Sequence, residues 1–419
     1  MTMRRIVVVG NGIAGLTACD SLRSAGFDGE LTVVGAERHH PYSRPALSKA
    51  LLHGVEENGV EENSADKNSG GLQAHELPEP THDATELLGV SVSGLDIDAR
   101  VVRLDGGGEL PYDGLVIASG SRAKRLSPTE GAGEPRDDGS ARELTLRTIE
   151  DAITLRQRVA ARPSVIVVGG GPLGMEVASG CLQAGCEVTL VSDGAPLSRQ
   201  LGGHLAGMFT SAAARRGLRV VGGGKARLID FDEGAGSDAG TRVVLADGTV
   251  LEADLVVTAI GDEPNTGWLA GSKLLVDGSL RVDTRGRLRA EIVAAGDVAF
   301  FPTSRGVQRV PLWTSAIDQA KVAAVGLLQG DAAPELNFQP YFWTEGFGLS
   351  LKSVGFTPVA GAPDYSEPGN HAESMLLRWE NKDGSGTAAA VNYRIPIPKL
   401  RRLADAGPAA LRPAAPVNV

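Results

Sequence analysis

The stretches I-V-V-V-G-N-G-I-A-G (Ile6 to Gly15) and V-I-V-V-G-G-G-P-L-G (Val165 to Gly174) lie 159 residues apart and decide the fold. Each is an apolar strand running straight into G-x-G-x-x-G and then into a helix-like stretch. Gly10 and Gly169 allow the tight turn, and Gly12 and Gly171 let the backbone approach a pyrophosphate. Gly15 and Gly174 let the helix pack closely on its strand, its N-terminus facing the phosphate charge. One such motif is a weak sign. Two in the right context imply two bound nucleotides, and the natural pair is a flavin and a nicotinamide.

Working outward, the first motif opens a βαβ unit with strand Arg5–Val9, a helix from about Ala14 to Ala25 and strand Glu30–Gly35. Residues 56 to 86 are acidic, rich in Gly, Ser and Asn and aperiodic, so they read as a mobile surface insertion, with a lid as the alternative. Strands are expected at Ser91–Asp96, Val101–Leu104 and Gly114–Ala118, and a Pro/Gly-rich linker at Ser127 to Ala141. The second motif opens another βαβ unit continued by strand Glu187–Val191, with Arg242–Leu245 and Leu255–Ile260 as its closing β-elements. A helix is expected over Thr314 to Leu328, then a β-rich tail from about Pro334 that ends in a basic helix-like piece. The two motifs form an internal repeat at fold level.

The chain has 419 residues, 42% hydrophobic and 22% charged, with 55 glycines, as expected of an α/β protein rich in tight βα turns. A formal charge of −10 argues against nucleic acid as a partner. Cys19, Cys181 and Cys186 give no disulfide framework and fit a reducing cytoplasm. The basic N-terminus before an apolar run superficially suggests a signal peptide, but that run is the first motif strand. No apolar stretch approaches the ~20 residues needed to span a bilayer, so a cytoplasmic protein without membrane association is expected.

Several further segments carry a resemblance: H-P-Y-S-R-P-A-L-S-K (His40 to Lys49), D-G-L-V-I-A-S-G (Asp113 to Gly120), T-L-R-T-I-E-D-A (Thr145 to Ala152), G-M-E-V-A (Gly174 to Ala178), A-I-G-D-E-P-N-T (Ala259 to Thr266), A-A-G-D-V-A (Ala294 to Ala299), L-W-T-S-A-I-D-Q-A (Leu312 to Ala320) and Y-F-W-T-E-G-F-G (Tyr341 to Gly348). In order and spacing the chain resembles the flavin-dependent pyridine nucleotide oxidoreductases, specifically the ferredoxin, rubredoxin and putidaredoxin reductase branch. The resemblance implies an α/β fold of two Rossmann-like domains plus a C-terminal α+β domain. The FAD domain would take residues 1–120 and 262–330, the NAD(P) domain 121–261 and the interface domain 331–419.

The implied activity is an FAD-dependent NAD(P)H:ferredoxin-type reductase passing electrons to an iron–sulfur protein that serves an oxygenase, as a monomer or homodimer. Glu37, 27 residues after Gly10, would accept bonds from a ribose diol. Lys49 and Glu176 would form a pair at the flavin N5 side, a fixed charge that favours the reduced anionic ring. An ordinary first-turn helix acid is the alternative for Glu176. Asp297 would bond the ribityl hydroxyls. Arg44, Val92, Ala118, Ser119, Gly120 and Arg147 match positions near the flavin nucleotide, Val92 equally suiting a core strand. Trp313 would pack near the ring or else fill the core. Ala14 completes the flavin motif, and Leu173, Asp193 and Gly261 belong to the nicotinamide side.

Cys181 and Cys186 are read as core cysteines, because a redox pair would belong on the first motif's helix. No ligand spacing marks a metal site, and His40 is read as a solvated loop residue. Basic clusters Arg122/Lys124/Arg125 and Arg394/Lys399/Arg401/Arg402 are candidate docking sites for an acidic partner, or plain solvated charge.

Two departures from the family pattern fall on the nicotinamide side. Ser192 stands where NADH-using members carry an acid, with Asp193 one residue on, and Glu263 replaces an arginine. With Arg199 the nearest arginine, NADH is preferred over NADPH. The departures also leave open an oxidase or tailoring enzyme acting on an organic substrate, and a non-catalytic flavin-binding interaction protein.

Overall fold

The computed structural model describes residues 3–49, 77, 80–126, 143–229 and 241–411. The expected linker lies outside them, as does the acidic segment apart from residues 77 and 80–86. The end of that segment is not insertion: Thr85 and Glu86 open the strand Thr85–Leu88, which pairs in parallel with Glu30–Gly35. The run T-E-L-L offered no alternation of its own and is ordered by its neighbour.

The chain divides into two compact units: Met1–Ser43, Asn63–Arg122 and Glu263–Pro340 form one, and Arg44–Glu62, Ala123–Asp262 and Tyr341–Val419 the other. The first unit is built on a six-stranded sheet ordered Arg287–Arg289, Ile292–Ala294, Gly114–Ile117, Arg5–Val9, Glu30–Gly35 and Thr85–Leu88. All its neighbours are parallel except the first pair. The motif strand is apolar throughout because both faces are covered. Ile6 and Val8 pack with Leu22 and Ala320, from the helices Ile13–Ser24 and Trp313–Gln329. Val7 and Val9 pack on the other face with Tyr112, Leu280 and Phe301.

In the second unit the parallel sheet runs Arg219–Val221, Glu187–Val191, Ser164–Val168, Leu255–Thr258 and Glu143–Leu144. Arg242–Leu245 does not close it, contrary to the sequence reading. That strand belongs to a separate antiparallel sheet with Ala226–Ile229 and Val250–Ala253. Its apolar residues Val243 and Leu245 bury against Ile166 and Val191, so the same pattern serves a strand lying on the parallel sheet's face. The tail forms a five-stranded antiparallel sheet in the order Tyr341–Gly346, Leu349–Val354, Gly386–Val391, Met375–Glu380 and Tyr365–Pro368. Leu400 and Leu403 of the helix Ile397–Ala406 pack onto it beside Val354, Leu376 and Ala390.

The repeat holds at atomic level. Gly10 and Gly169 adopt left-handed φ of +111° and +121°, and a Cβ on either would strike the carbonyl oxygen of Ala118 or Ala259. A Cβ on Gly15 or Gly174 would collide with the carbonyl of Gly10 or Gly169, the measure of how closely each helix lies on its strand. Gly12 differs: it caps the helix without a side-chain bond, and a Cβ there would meet nothing within 4 Å.

Cys181 lies in the helix Pro172–Gln183, and Cys186 follows it. All three cysteines are free and buried. Burial drives the Cys19 and Cys181 thiols up to about 12 and raises Cys186 as well. Their core reading holds.

Gly15→Ala should lower the stability of the flavin-free protein by about 2 kcal/mol or more through overpacking against fixed backbone, measured by urea unfolding. Gly12→Ala should stay within about 1 kcal/mol of the parent. Native protein at pH 8 should show no thiol reacting rapidly with Ellman's reagent, and all three should react in guanidinium.

Candidate functional site

In the first unit some of the expected flavin residues, Ala14 and Ala118 among them, lie at the motif turn, whereas Arg44, Lys49 and Arg147 belong to the second unit. The turn is held by a backbone bond from Gly10 to the Val34 carbonyl, and Ala118 donates to the Val9 carbonyl. A Cβ on Gly296, in the A-A-G-D turn, would lie 2.9 Å from the Cβ of Ala14, so the small residue in the motif lets that turn approach. Gly296 N–H donates to the buried Gln319 side chain at 2.8 Å, and Gln319 comes from the helix that Trp313 begins. This bond fixes Asp297, whose carboxylate accepts from Ser121 Oγ at 3.3 Å and whose carbonyl accepts from Arg309 at 3.1 Å.

Glu37, just past the strand Glu30–Gly35, accepts a 2.5 Å bond from the Tyr42 hydroxyl. Ser119 Oγ donates to the Asn265 carbonyl at 2.9 Å, and Asn265 Nδ2 donates back to the Ser119 carbonyl at 2.9 Å. The A-S-G and E-P-N-T segments are therefore laced together. Gly120 accepts from the Asn265 backbone N–H. Val92 begins an antiparallel strand and packs half-buried on the core, its bland alternative. Trp313 is half-buried rather than a fully enclosed core residue. His40 is exposed, as read, and its ring lies 3.2 Å from Glu86.

The uncapped N-terminus at Gly12, with open space at its Cα, fits a pyrophosphate. N–H groups at a helix start have no intrahelical acceptors and carry the positive end of the dipole. With carboxylates at Glu37 and Asp297 able to accept from sugar hydroxyls, the residues present fit FAD. Among the described residues no cluster of His, Cys, Asp or Glu could hold a metal ion.

The second unit carries the other cradle, Gly169, Gly171, Leu173 and Gly174. Gly171 caps the helix Pro172–Gln183 without a side-chain bond, and a Cβ on it would meet only the Gln200 amide, at 3.7 Å. Leu197 N–H donates to the Gly170 carbonyl, which seats the turn Ser198–Leu201 over this loop. The buried Ser192 hydroxyl occupies the space beside Gly170. Asp193 is committed to Arg199, which reaches its carboxylate at 2.8 Å and its carbonyl at 3.3 Å. Gly261, in the counterpart of the A-S-G loop, accepts from the Lys124 backbone N–H.

Glu263, the other departure, is engaged by Arg122 at 2.7 Å within the first unit. Arg125 donates to the Glu143 carbonyl and to Thr145, so two of the three basic residues in that cluster serve internal contacts.

Lys49 and Glu176 do pair. The ammonium lies 3.0 Å from the carboxylate of a Glu176 that is only 6% exposed, and it also donates to the Pro45 carbonyl at 3.2 Å. Glu176 is the fifth residue of the helix Pro172–Gln183, beyond its first turn, so the reading as a first-turn acid does not hold. Ser48 Oγ and Thr344 Oγ1 also donate to Glu176, partners that motif reading did not find. Arg44 donates to the Arg147 carbonyl at 2.8 Å, and Arg147 N–H donates to Asp151. Asp151 and Thr148 form a capping box at the helix Ile149–Val159, and burial raises the Asp151 carboxyl above the usual aspartate range.

Residues 4–320 match the family model for pyridine nucleotide-disulphide oxidoreductase. The chain is 31% identical, over 98% of its length and 94% of the relative's, to the ferredoxin reductase component of chlorobenzene dioxygenase from Cupriavidus sp. (strain PS12). It is 33% identical, over 84% and 81%, to the ferredoxin–NAD(+) reductase component of the p-cumate 2,3-dioxygenase system of Pseudomonas putida. The crystal structure of the covalent putidaredoxin reductase–putidaredoxin complex superposes with a TM-score of 0.75 at 26% identity, over 96% of this chain and 93% of that one. With a glycine cradle in each unit, the family match over residues 4–320 and these relatives along most of its length, the chain belongs to the pyridine nucleotide-disulphide oxidoreductase family.

Proposed function

We propose that this chain is an FAD-dependent NADH:ferredoxin-type reductase that passes electrons to an iron–sulfur partner serving an oxygenase. The observation that carries the reading is that one chain holds two open, uncapped motif helices and an enclosed Lys49–Glu176 pair. The relatives support it, being reductase components of dioxygenase systems. The flavin domain is assigned to residues 1–120 and 262–330, the nicotinamide domain to 121–261 and the interface domain to 331–419. The buried, reduced cysteines suit a cytoplasmic protein. Among the described residues no helix is long and apolar enough to cross a membrane.

In this reading the N-terminus at Gly12 would hold the FAD pyrophosphate, Glu37 the adenosine ribose and Asp297 the ribityl chain, with Arg44, Arg147, Ala118–Gly120 and Trp313 as further FAD-binding residues. When bound, FAD supplies the capacity to take an electron pair from nicotinamide and release electrons singly. Lys49 would supply the positive charge that favours the reduced ring, and Glu176 holds Lys49 in place. The second N-terminus, at Gly171, binds the nicotinamide nucleotide's pyrophosphate with Leu173 and Gly261 alongside.

Asp193 keeps Arg199 from serving a 2′-phosphate, which favours NADH. The reversed charge at Glu263 leaves a different substrate open in the sequence, but in the structure that carboxylate is engaged by Arg122.

Stopped-flow mixing should show NADH bleaching the oxidised flavin band faster than NADPH does. No reduction by either nucleotide at several millimolar, above the ordinary range of KM, would refute the reading. Asp193→Ala should free Arg199 and raise kcat/KM for NADPH relative to NADH by about tenfold.

A further inference from the structure

Glu176 has more partners than a counter-ion for one lysine requires. Lys49 Nζ stands 3.0 Å from each of its two oxygens. Ser48 Oγ–H caps Oε2, while Thr344 Oγ1–H caps Oε1 at 2.6 Å, with the Glu345 backbone N–H at 3.4 Å. The ammonium therefore lies across the carboxylate with one hydroxyl on either flank. Thr344 is 2% exposed, so its hydroxyl exchanges no bonds with solvent.

The contact has a mechanical second half. Glu176 and Ser179 sit three residues apart on one face of the motif helix. Ser179 Oγ accepts from the Phe347 N–H at 2.8 Å. The hairpin of Tyr341–Gly346 and Leu349–Val354 is thus fastened to the helix at two successive points.

A carboxylate's terminal torsion is broad, and a single ion pair leaves it free to turn. Donors on both oxygens remove that freedom. We infer that Thr344 is a positioning residue for the reduction step: it fixes the plane of Glu176 and so the place of Lys49. It thereby makes the C-terminal sheet part of the apparatus that sets the charge beside the flavin. This rests on the reading that Lys49 faces the flavin ring. Valine keeps the shape of Thr344 without the hydroxyl, and serine keeps the hydroxyl.

The flavin-loaded wild type, Thr344→Val, Thr344→Ser and Lys49→Gln proteins would be compared by two measurements. One is the reactivity of Lys49 toward trace acetic anhydride, read by peptide mass spectrometry. The other is the limiting rate of flavin bleaching against NADH concentration. Thr344→Val should raise Lys49 acetylation about fivefold and slow bleaching about tenfold, with the NADH Kd within about twofold, and Thr344→Ser should match wild type. Unchanged acetylation in Thr344→Val, or Thr344→Ser behaving like Thr344→Val, would overturn the inference. If Lys49→Gln bleaches like wild type, the placement of Lys49 by the flavin falls, while the labelling comparison still decides the role of Thr344. Should Thr344→Val not fold, Ser48→Ala, which removes the opposite hydroxyl, should raise the labelling similarly, and unchanged labelling there rejects the inference.

Discussion

The structure depends on a contact between two pieces of backbone. In each motif the helix lies so close to its strand that the third glycine rests against the carbonyl of the first, and that carbonyl's residue rests against the end of the neighbouring strand. Any side chain there would push the helix away and turn its first N–H groups off the phosphate position. Hydrophobic burial holds the sheet and helices together, but it is indifferent to a shift of an ångström. The glycine contacts set the distance on which nucleotide binding depends. The same geometry appears twice, against Ala118 and Ala259, so the two halves share a mechanism as well as a topology.

Around this shared frame the two cradles are furnished differently. The first is surrounded by segments tied to one another through side chains: Gln319 to Gly296, Ser121 to Asp297 and Asn265 to Ser119. The second is overlaid by a single short turn, with the exposed Asp193–Arg199 pair beside it. Rigid lacing suits a resident cofactor, and a lightly covered loop suits a nucleotide that must come and go.

What was legible in the sequence follows from range. Motifs such as G-x-G-x-x-G act within a dozen residues, so their turns, helices and flanking strands were readable directly. Family resemblance extended that reach to Asp297 and to the Lys49–Glu176 pair, which local patterns could not have joined. Thr344 escaped notice because its partner is 168 residues away and a threonine in a strand is unremarkable by itself. Arg242–Leu245 was assigned to the wrong sheet because a buried strand shows the same apolar pattern whether it extends a sheet or lies on its face. Glu263 misled in the other direction. Its charge was visible, but its partner Arg122, 141 residues earlier, was not read with it.

That last pair bears on how such chains diverge. Both side chains are about half exposed, and ion pairs of that kind contribute roughly 0–1 kcal/mol. A lineage carrying two like charges at these positions would lose little stability, so either residue can change first and the other can follow much later. The glutamate at position 263 is thus accommodated by an exposed pair that adds little to stability. Its charge is accounted for by a neighbouring arginine without any ligand.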